Sequence, residues 1–239
     1  MTESTNGFLV ERADLRDVTG CFRDRTDGAG ILADLLAALR PDRGLVLAIP
    51  AGGVPIGSVL ARRLNLPLDV IVASKITFAG DPESGFGAVA IDGTVRVLKK
   101  AEELAWVTPE EISEGIEKAT RKVRRRNARF RGTVPFPDLS GLTALVVDDG
   151  IASGITIQVA AICARKAGAE RVIAAAPTAH RESVMALREM ADQVVCPNVR
   201  SGRFFAVADA YLEWHDVSEE EARELLEAHR RESAAGRIP

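Results

Sequence analysis

The sequence predicts an α/β protein built on a doubly wound, mostly parallel sheet. Two observations carry that prediction: its short apolar runs are continuous rather than alternating, and helical patterns separate them. A strand covered on both faces shows no polar side, so a parallel sheet reads as unbroken Val, Ile, Leu and Ala. The runs are "LVLAIP" (45–50), "LDVIVASKI" (68–76), "LTALVVDD" (142–149), "RVIAAAP" (171–177) and "QVVCP" (193–197).

Between the strands, "ILADLLAAL" (31–39) places Ile31, Leu32, Leu35, Leu36 and Leu39 on one helical face. "VPIGSVLARRL" (54–64) has Pro55 in its first turn, where a missing N–H costs nothing. "ITIQVAAICARKAG" (155–168) stops at Gly168, and "RESVMALREMA" (181–191) follows the fourth strand. Alternation of this kind implies right-handed crossovers. Two segments break the rhythm. "GAVAIDGTVRVL" (87–98) carries an "IDG" turn between β-prone flanks and predicts a hairpin. "TPEEISEGIEKATRKVRRRNARFR" (108–131) predicts a long helix, with Thr108 as cap, Pro109 next, Glu111 to close a capping box, acids early and bases late. A second capping box is expected at Ser218 and Glu221.

The chain has 239 residues, 31 basic against 34 acidic, for a net charge of −3. Such a balance creates no general attraction for polyanions, so nucleic acid is not an expected partner. Three cysteines, Cys21, Cys163 and Cys196, stand far apart with three histidines, which argues against zinc sites and disulfide frameworks and for a reducing cytoplasm. The N-terminal stretch lacks the basic and apolar regions of a leader, and no apolar run reaches the roughly 18 residues of a membrane span. A cytoplasmic location without membrane partners is the expectation.

The chemistry concentrates at "LVVDDGIASGIT" (145–156). Asp148 and Asp149 end a strand, and two adjacent carboxylates repel unless donors or a cation satisfy them. The loop that follows carries Gly150, Gly154, Ser153 and Thr156 and runs into a predicted helix, which makes an anion nest. Acids for a vicinal diol beside a nest for a phosphate describe a ribose 5-phosphate.

This stretch resembles the phosphoribosyl-diphosphate (PRPP) signature of the type I phosphoribosyltransferases. The resemblance implies a phosphoribosyltransferase-like domain over residues 20–230, with a core at about 40–200 and a hood from 1–40 and 198–214. "FRDRTDGAGILADLL", "PAGGVPIG", "SKI…GAVAIDG" and "RKVRRRNARFRG" are similar to a poorly characterised stand-alone subgroup of that family. By resemblance Asp148 and Asp149 hold the ribose hydroxyls, and Gly150, Ile151, Ala152, Ser153, Gly154, Ile155 and Thr156 wrap the 5-phosphate. Ala51, Gly52 and Gly53 form the pyrophosphate loop, where relatives often have a strained, sometimes cis, peptide. Ala51 stands where a basic residue is expected, and Lys75 is the candidate for the missing cation.

The segment 74–93 is expected to be a flexible loop closing over PRPP, with turns and hinges at Gly80, Pro82, Gly85 and Gly87. Phe204, Phe205, Tyr211 and Trp214 fall in the hood, where one of them could stack on a base, although each by itself reads as filling the hood's small core. Phe205, Ala206 and Val207 resemble the base-contacting stretch of purine enzymes. Mg²⁺ is the implied cofactor, held by Asp148 and Asp149 directly or through water, with Asp209 as a candidate second contact. The basic run 121–131 has the charge to hold RNA phosphates or an anionic effector, but it reads in preference as a solvated face or an oligomer contact, and a dimer is implied by the family.

The function implied is transfer of the 5-phosphoribosyl group from PRPP to a nitrogen nucleophile, a nucleobase by preference, within nucleotide metabolism. Ala51 and the basic helix favour an alternative, a PRPP- or nucleotide-binding regulator without turnover. A dinucleotide-binding fold does not fit, since no GxGxxG follows the first strand.

Overall fold

Seven strands form the central sheet: β1 (Thr2–Thr5), β2 (Leu9–Arg12), β3 (Gly44–Ala48), β4 (Leu68–Val70), β8 (Thr143–Val147), β9 (Arg171–Ala175) and β11 (Gln193–Val195). Their spatial order is β1-β2-β11-β9-β8-β3-β4, parallel except for the β1–β2 pair. A short parallel pair, β10 (Thr178–His180) with β12 (Asn198–Arg200), continues beyond it toward the hood. A computed structural model describes residues 2–5, 7–39, 41, 43–78, 81–98 and 108–236, with backbone alone for 2–5 and 81–84.

Side-chain alternation divides the core into two layers. Leu45, Leu47, Ala144, Val146, Val172 and Ala174 point to one face, which is covered by α4 (Ile155–Lys166) and α5 (Arg181–Ala186). Val46, Ala48, Leu145, Val147, Ile173 and Ala175 point to the other, against α1 (Arg25–Ala37), α2 (Gly53–Leu64) and α6 (Glu219–Ala234). The sheet is therefore doubly wound, as the continuous apolar runs predicted.

The run 68–76 divides. Its first part is β4, and its second begins β5 (Ala73–Phe78), which leaves the central sheet and pairs antiparallel with β6 (Asp81–Ala90). β6 turns at Asp92 and Gly93 into β7 (Val95–Val97), the predicted hairpin. The expected flexible loop is thus largely paired strand. Ile76 and Phe86 pack under α3 (Pro109–Arg131), while Ala73, Ala88 and Ala90 face the α4 layer. At Gly87 a Cβ would lie 2.6 Å from the Arg96 carbonyl oxygen, so this glycine permits close strand approach and is not a hinge. Gly80 lies outside the described residues.

α3 starts as predicted: Thr108 accepts from the Glu111 N–H at 3.2 Å, and Glu111 accepts from the Thr108 N–H at 2.8 Å. At α6 only half of the second box forms. Ser218 accepts from the Glu221 N–H at 3.1 Å, but the Glu221 carboxylate turns to His215 at 3.3 Å.

The hood differs from its expected span, because Leu9–Arg12 joins the central sheet and α1 packs on α2. A separate cluster unites Phe22, Ala210 and Tyr211 with Leu15, Cys21, Val207 and Trp214. The first segment contributes to the hood through residues 15–22, joined from α1 by Ile31 and by Arg25 stacked on Trp214. No helix among the described residues is long and apolar enough to cross a membrane.

Candidate active site

Chain order runs outward in opposite directions from β3 and β8, so the crevice beyond their carboxyl ends is where an open α/β sheet takes ligands. Two neighbouring cavities lie there. One, about 190 Å³, is lined by Asp148, Asp149, the loop residues 150–154, Thr156, Ile157, Lys75 and Val207. The other, about 360 Å³, shares Lys75, Asp148 and Thr156 and extends to Ile49, Pro50, Lys118, Lys122 and Arg126.

The smaller cavity gathers most of the predicted loop. Gly154 takes φ +74° and gives α4 no side-chain cap, which leaves the first-turn amides of that helix without a capping side chain. Ile155 does not line the cavity, and Ile151, which does, has its side chain buried in the core and its N–H donated to the Thr178 carbonyl at 2.9 Å. Gly154→Ala is expected to destabilise the chain by about 1–2 kcal/mol, because an L residue there is strained and its Cβ would lie 3.0 Å from Ser183 Cβ. Urea unfolding checks this, and a loss below about 0.5 kcal/mol would contradict it.

The two acids have different surroundings. Asp148 opens onto both cavities and accepts from the Asp149 N–H at 2.9 Å. Burial pushes its carboxyl well above the usual range, and the Asp149 charge adds to the effect. Asp149 is also pushed up by burial, but Arg25 opposes it: Nε and Nη2 lie 2.9 and 2.8 Å from Oδ2. Arg25 sits 3.7 Å over the Trp214 ring and donates to the His215 carbonyl at 2.8 Å. Tyr211 Oη donates to the Asp149 carbonyl at 2.6 Å. Arg25 has no counterpart among the predicted site residues. Its only sequence signal was its place in "FRDRTDG", just after the helix cap Asp24.

The loop after β3 meets the larger cavity with Ile49 and Pro50, and the Pro50–Ala51 peptide is cis. Gly52 and Gly53 lie behind, against the acids: a Cβ on Gly52 would fall 2.2 Å from Asp149 Oδ2, and one on Gly53 2.6 Å from the Val147 carbonyl oxygen. Ala51 packs partly against the core.

The cationic groups come from elsewhere. Lys75 lines both cavities from β5, and Lys118, Lys122 and Arg126 reach the larger one from α3. The basic run is not wholly the solvated face or oligomer contact that was the preferred expectation, for Lys122 and Arg126 belong to that run and line the cavity. Their recurrence every four positions after Lys118, beside the apolar positions Ala119 and Val123, was the available signal. Burial and the adjacent Arg126 charge lower the Lys122 ammonium pKa, with Glu219 opposing.

The hood residues divide. Val207 lines the smaller cavity and packs over Gly150. Phe205 stands edge-on to His180 at 5.6 Å and under Arg200 at 4.6 Å, and the Ala206 carbonyl accepts from Arg200 at 3.1 Å. Tyr211 fills the hood cluster against Phe22 and Trp214, whereas Phe204 is 86% exposed. Asp209 pairs with Arg200 at 3.2 Å, stays exposed and lines neither cavity.

A doubly wound sheet with an acid pair and an amide-rich loop at its switch point defines the type I phosphoribosyltransferase-like fold. Residues 26–212 match the phosphoribosyl transferase domain family model, and the chain belongs to that family. It is 37% identical over 219 residues to "Putative phosphoribosyl transferase Rv0571c" of Mycobacterium tuberculosis H37Rv, covering 91% of this chain and 49% of that protein. A counterpart in strain CDC 1551, MT0597, matches equally. The chain thus spans about half the length of the curated relatives it matches. The solved structure of TT1426 from Thermus thermophilus is 32% identical, covers 86% of this chain and 97% of its own, and superposes with a TM-score of 0.70.

Proposed function

We propose that this chain binds PRPP and transfers its 5-phosphoribosyl group to a nitrogen nucleophile, a nucleobase by preference, with release of pyrophosphate. One observation carries the reading: Asp148 lines both a small cavity bounded by Asp149 and the 150–154 loop and a larger one that holds four cations. A donor with a phosphate at one end, a diol in the middle and a diphosphate at the other matches that order of groups.

In this reading the 150–156 loop takes the 5-phosphate through backbone N–H groups. Asp148 accepts from a ribose hydroxyl, and Asp149, fixed by Arg25, completes the diol contact. The C1–O bond breaks with its electron pair leaving on the diphosphate, and the nucleophile forms the new bond to C1 from the opposite face. Positive charge developing on the sugar is stabilised by the nearby carboxylates, and positioning supplies much of the rate.

The donor set bears on Mg²⁺. Among the described residues no group of three or more His, Cys, Asp and Glu could hold a metal. Asp148 offers a carboxylate to the cavity, while that of Asp149 is engaged by Arg25. The residues therefore fit an ion carried mainly by the substrate, with Asp148 and Asp149 holding it directly or through water. When bound, Mg²⁺ would offset charge on the departing diphosphate.

The test is pyrophosphate release from PRPP with Mg²⁺ and a panel of bases, run beside Asp148→Asn/Asp149→Asn. Steady release with a base is expected from the wild type, together with loss of PRPP binding in the double variant. Equal PRPP binding by both would overturn the site. PRPP binding without release across the whole panel would replace the enzyme by the regulator that Ala51 favours.

A further inference from the structure

Four cationic side chains line the larger cavity, Lys75 from β5 and Lys118, Lys122 and Arg126 from α3, against one carboxylate, Asp148. The α3 residues recur every four positions and form one stripe beside the apolar face that anchors the helix. The rest of the basic run is partly neutralised elsewhere: Arg121 pairs with Glu117, Arg129 with Glu219 and Glu220, and Arg131 with Asp69. Arg126 Nε lies 2.9 Å from Glu219 Oε1, which ties it to α6. Among the described residues no carboxylate lies within ion-pair distance of Lys75, Lys118 or Lys122. Like charges gathered in one cavity repel, so the arrangement suits a multiply charged anion. A phosphate loop already lies next door, and position 51 carries no cation.

We infer that the stripe Lys118, Lys122 and Arg126, with Lys75, receives the diphosphate of the donor, and that α3 supplies the charge absent at Ala51. The inference rests on the PRPP reading. When the C1–O bond breaks, the electron pair stays on the diphosphate oxygen, and the ammonium groups hold the added negative charge without any proton transfer. α3 packs directly on β5 and β6, so the fold sets the stripe of the helix beside Asp148. The β3 loop then needs only its backbone and small residues.

Calorimetric titration of the full chain tests this, with inorganic pyrophosphate and ribose 5-phosphate as separate probes. Lys118→Gln/Lys122→Gln is compared with Arg121→Gln/Arg124→Gln, which removes two charges from the same helix at residues outside the cavity lining. Both lysines are exposed, so the substitutions leave the core intact, and thermal melting verifies folding. Pyrophosphate affinity is expected to fall at least roughly tenfold in the lysine pair alone, the size of a lost charge-assisted contact, with ribose 5-phosphate affinity unchanged.

Unchanged pyrophosphate affinity in the lysine pair, an equal loss in the arginine pair, or no pyrophosphate binding by the wild type would each overturn the inference. If PRPP binds while pyrophosphate ignores the lysines, the inference fails and the PRPP reading stands. If the wild type binds neither PRPP nor ribose 5-phosphate, that reading fails, and lysine-dependent pyrophosphate binding still marks α3 as a diphosphate site.

Discussion

Arg25→Leu is expected to destabilise the chain by roughly 3–5 kcal/mol, the loss typical when one partner of a buried ion pair is removed. The Arg25 side chain is 8% exposed and its partner Asp149 is 16% exposed, so the carboxylate left behind has little access to water. Three contacts go at once: the ion pair, the hydrogen bond to the His215 carbonyl and the stacking on Trp214. Most of the cost is the stranded charge, so Arg25→Leu/Asp149→Asn should recover a large part of it. Denaturant unfolding of the wild type, both single variants and the double variant measures this directly. A single variant within about 0.5 kcal/mol of wild type would show that the pair carries no net weight.

Asp148→Asn is expected to act in opposite directions on binding and stability. PRPP affinity should fall roughly ten- to a hundredfold, as a charge-assisted contact to the sugar or its metal is lost. Stability at neutral pH should rise by a few degrees in Tm. The sign follows from the raised carboxyl pKa in the folded chain, which burial causes first and Asp149 second. A group that holds its proton more tightly when folded contributes fully below its unfolded value, near 3.9, and loses that contribution as pH rises toward the folded value. At pH 7 the raised carboxyl pKa therefore weakens the fold relative to a neutral side chain, and asparagine removes the penalty. The advantage of the variant should close as pH falls toward 4. Melting curves from pH 4 to 8 test it, and a variant less stable than wild type at pH 7 would contradict the account.

Much of this was legible before any coordinates. The central strands β3, β8, β9 and β11 are covered on both faces, and such burial writes itself as unbroken apolar runs. The Thr108 cap and the Asp92-Gly93 turn are local chemistry, settled within a few residues. The acid pair and its loop were legible for the same reason, because one strand-to-helix junction holds them all. Strand β2, with "LVER", lies between β1 and β11, and it was missed because its pairing with β11 is chosen by residues nearly two hundred positions away. The first part of β6 and its pairing with β5 were hidden by Gly85 and Gly87, which read as hinges until the close approach of a neighbouring strand explained Gly87. Arg25 and the α3 stripe were missed for a tertiary reason. An arginine at a helix start and three bases on a charged helix are ordinary on their own, and only the packing of α1 and α3 brings them to Asp149 and Asp148.

The tether between hood and acid pair limits how the site can be rebuilt. Tyr211 holds the Asp149 backbone, and Arg25 joins the Asp149 side chain to Trp214 and the His215 carbonyl. A graft of residues 198–214 from a relative with another acceptor would bring new side chains over the crevice and rewire the carboxylate beneath them. The hood is not an exchangeable cassette unless Arg25 travels with it. Under the proposed function, acceptor choice and donor affinity would be coupled through Arg25, and an engineer who alters one would have to rebalance the other.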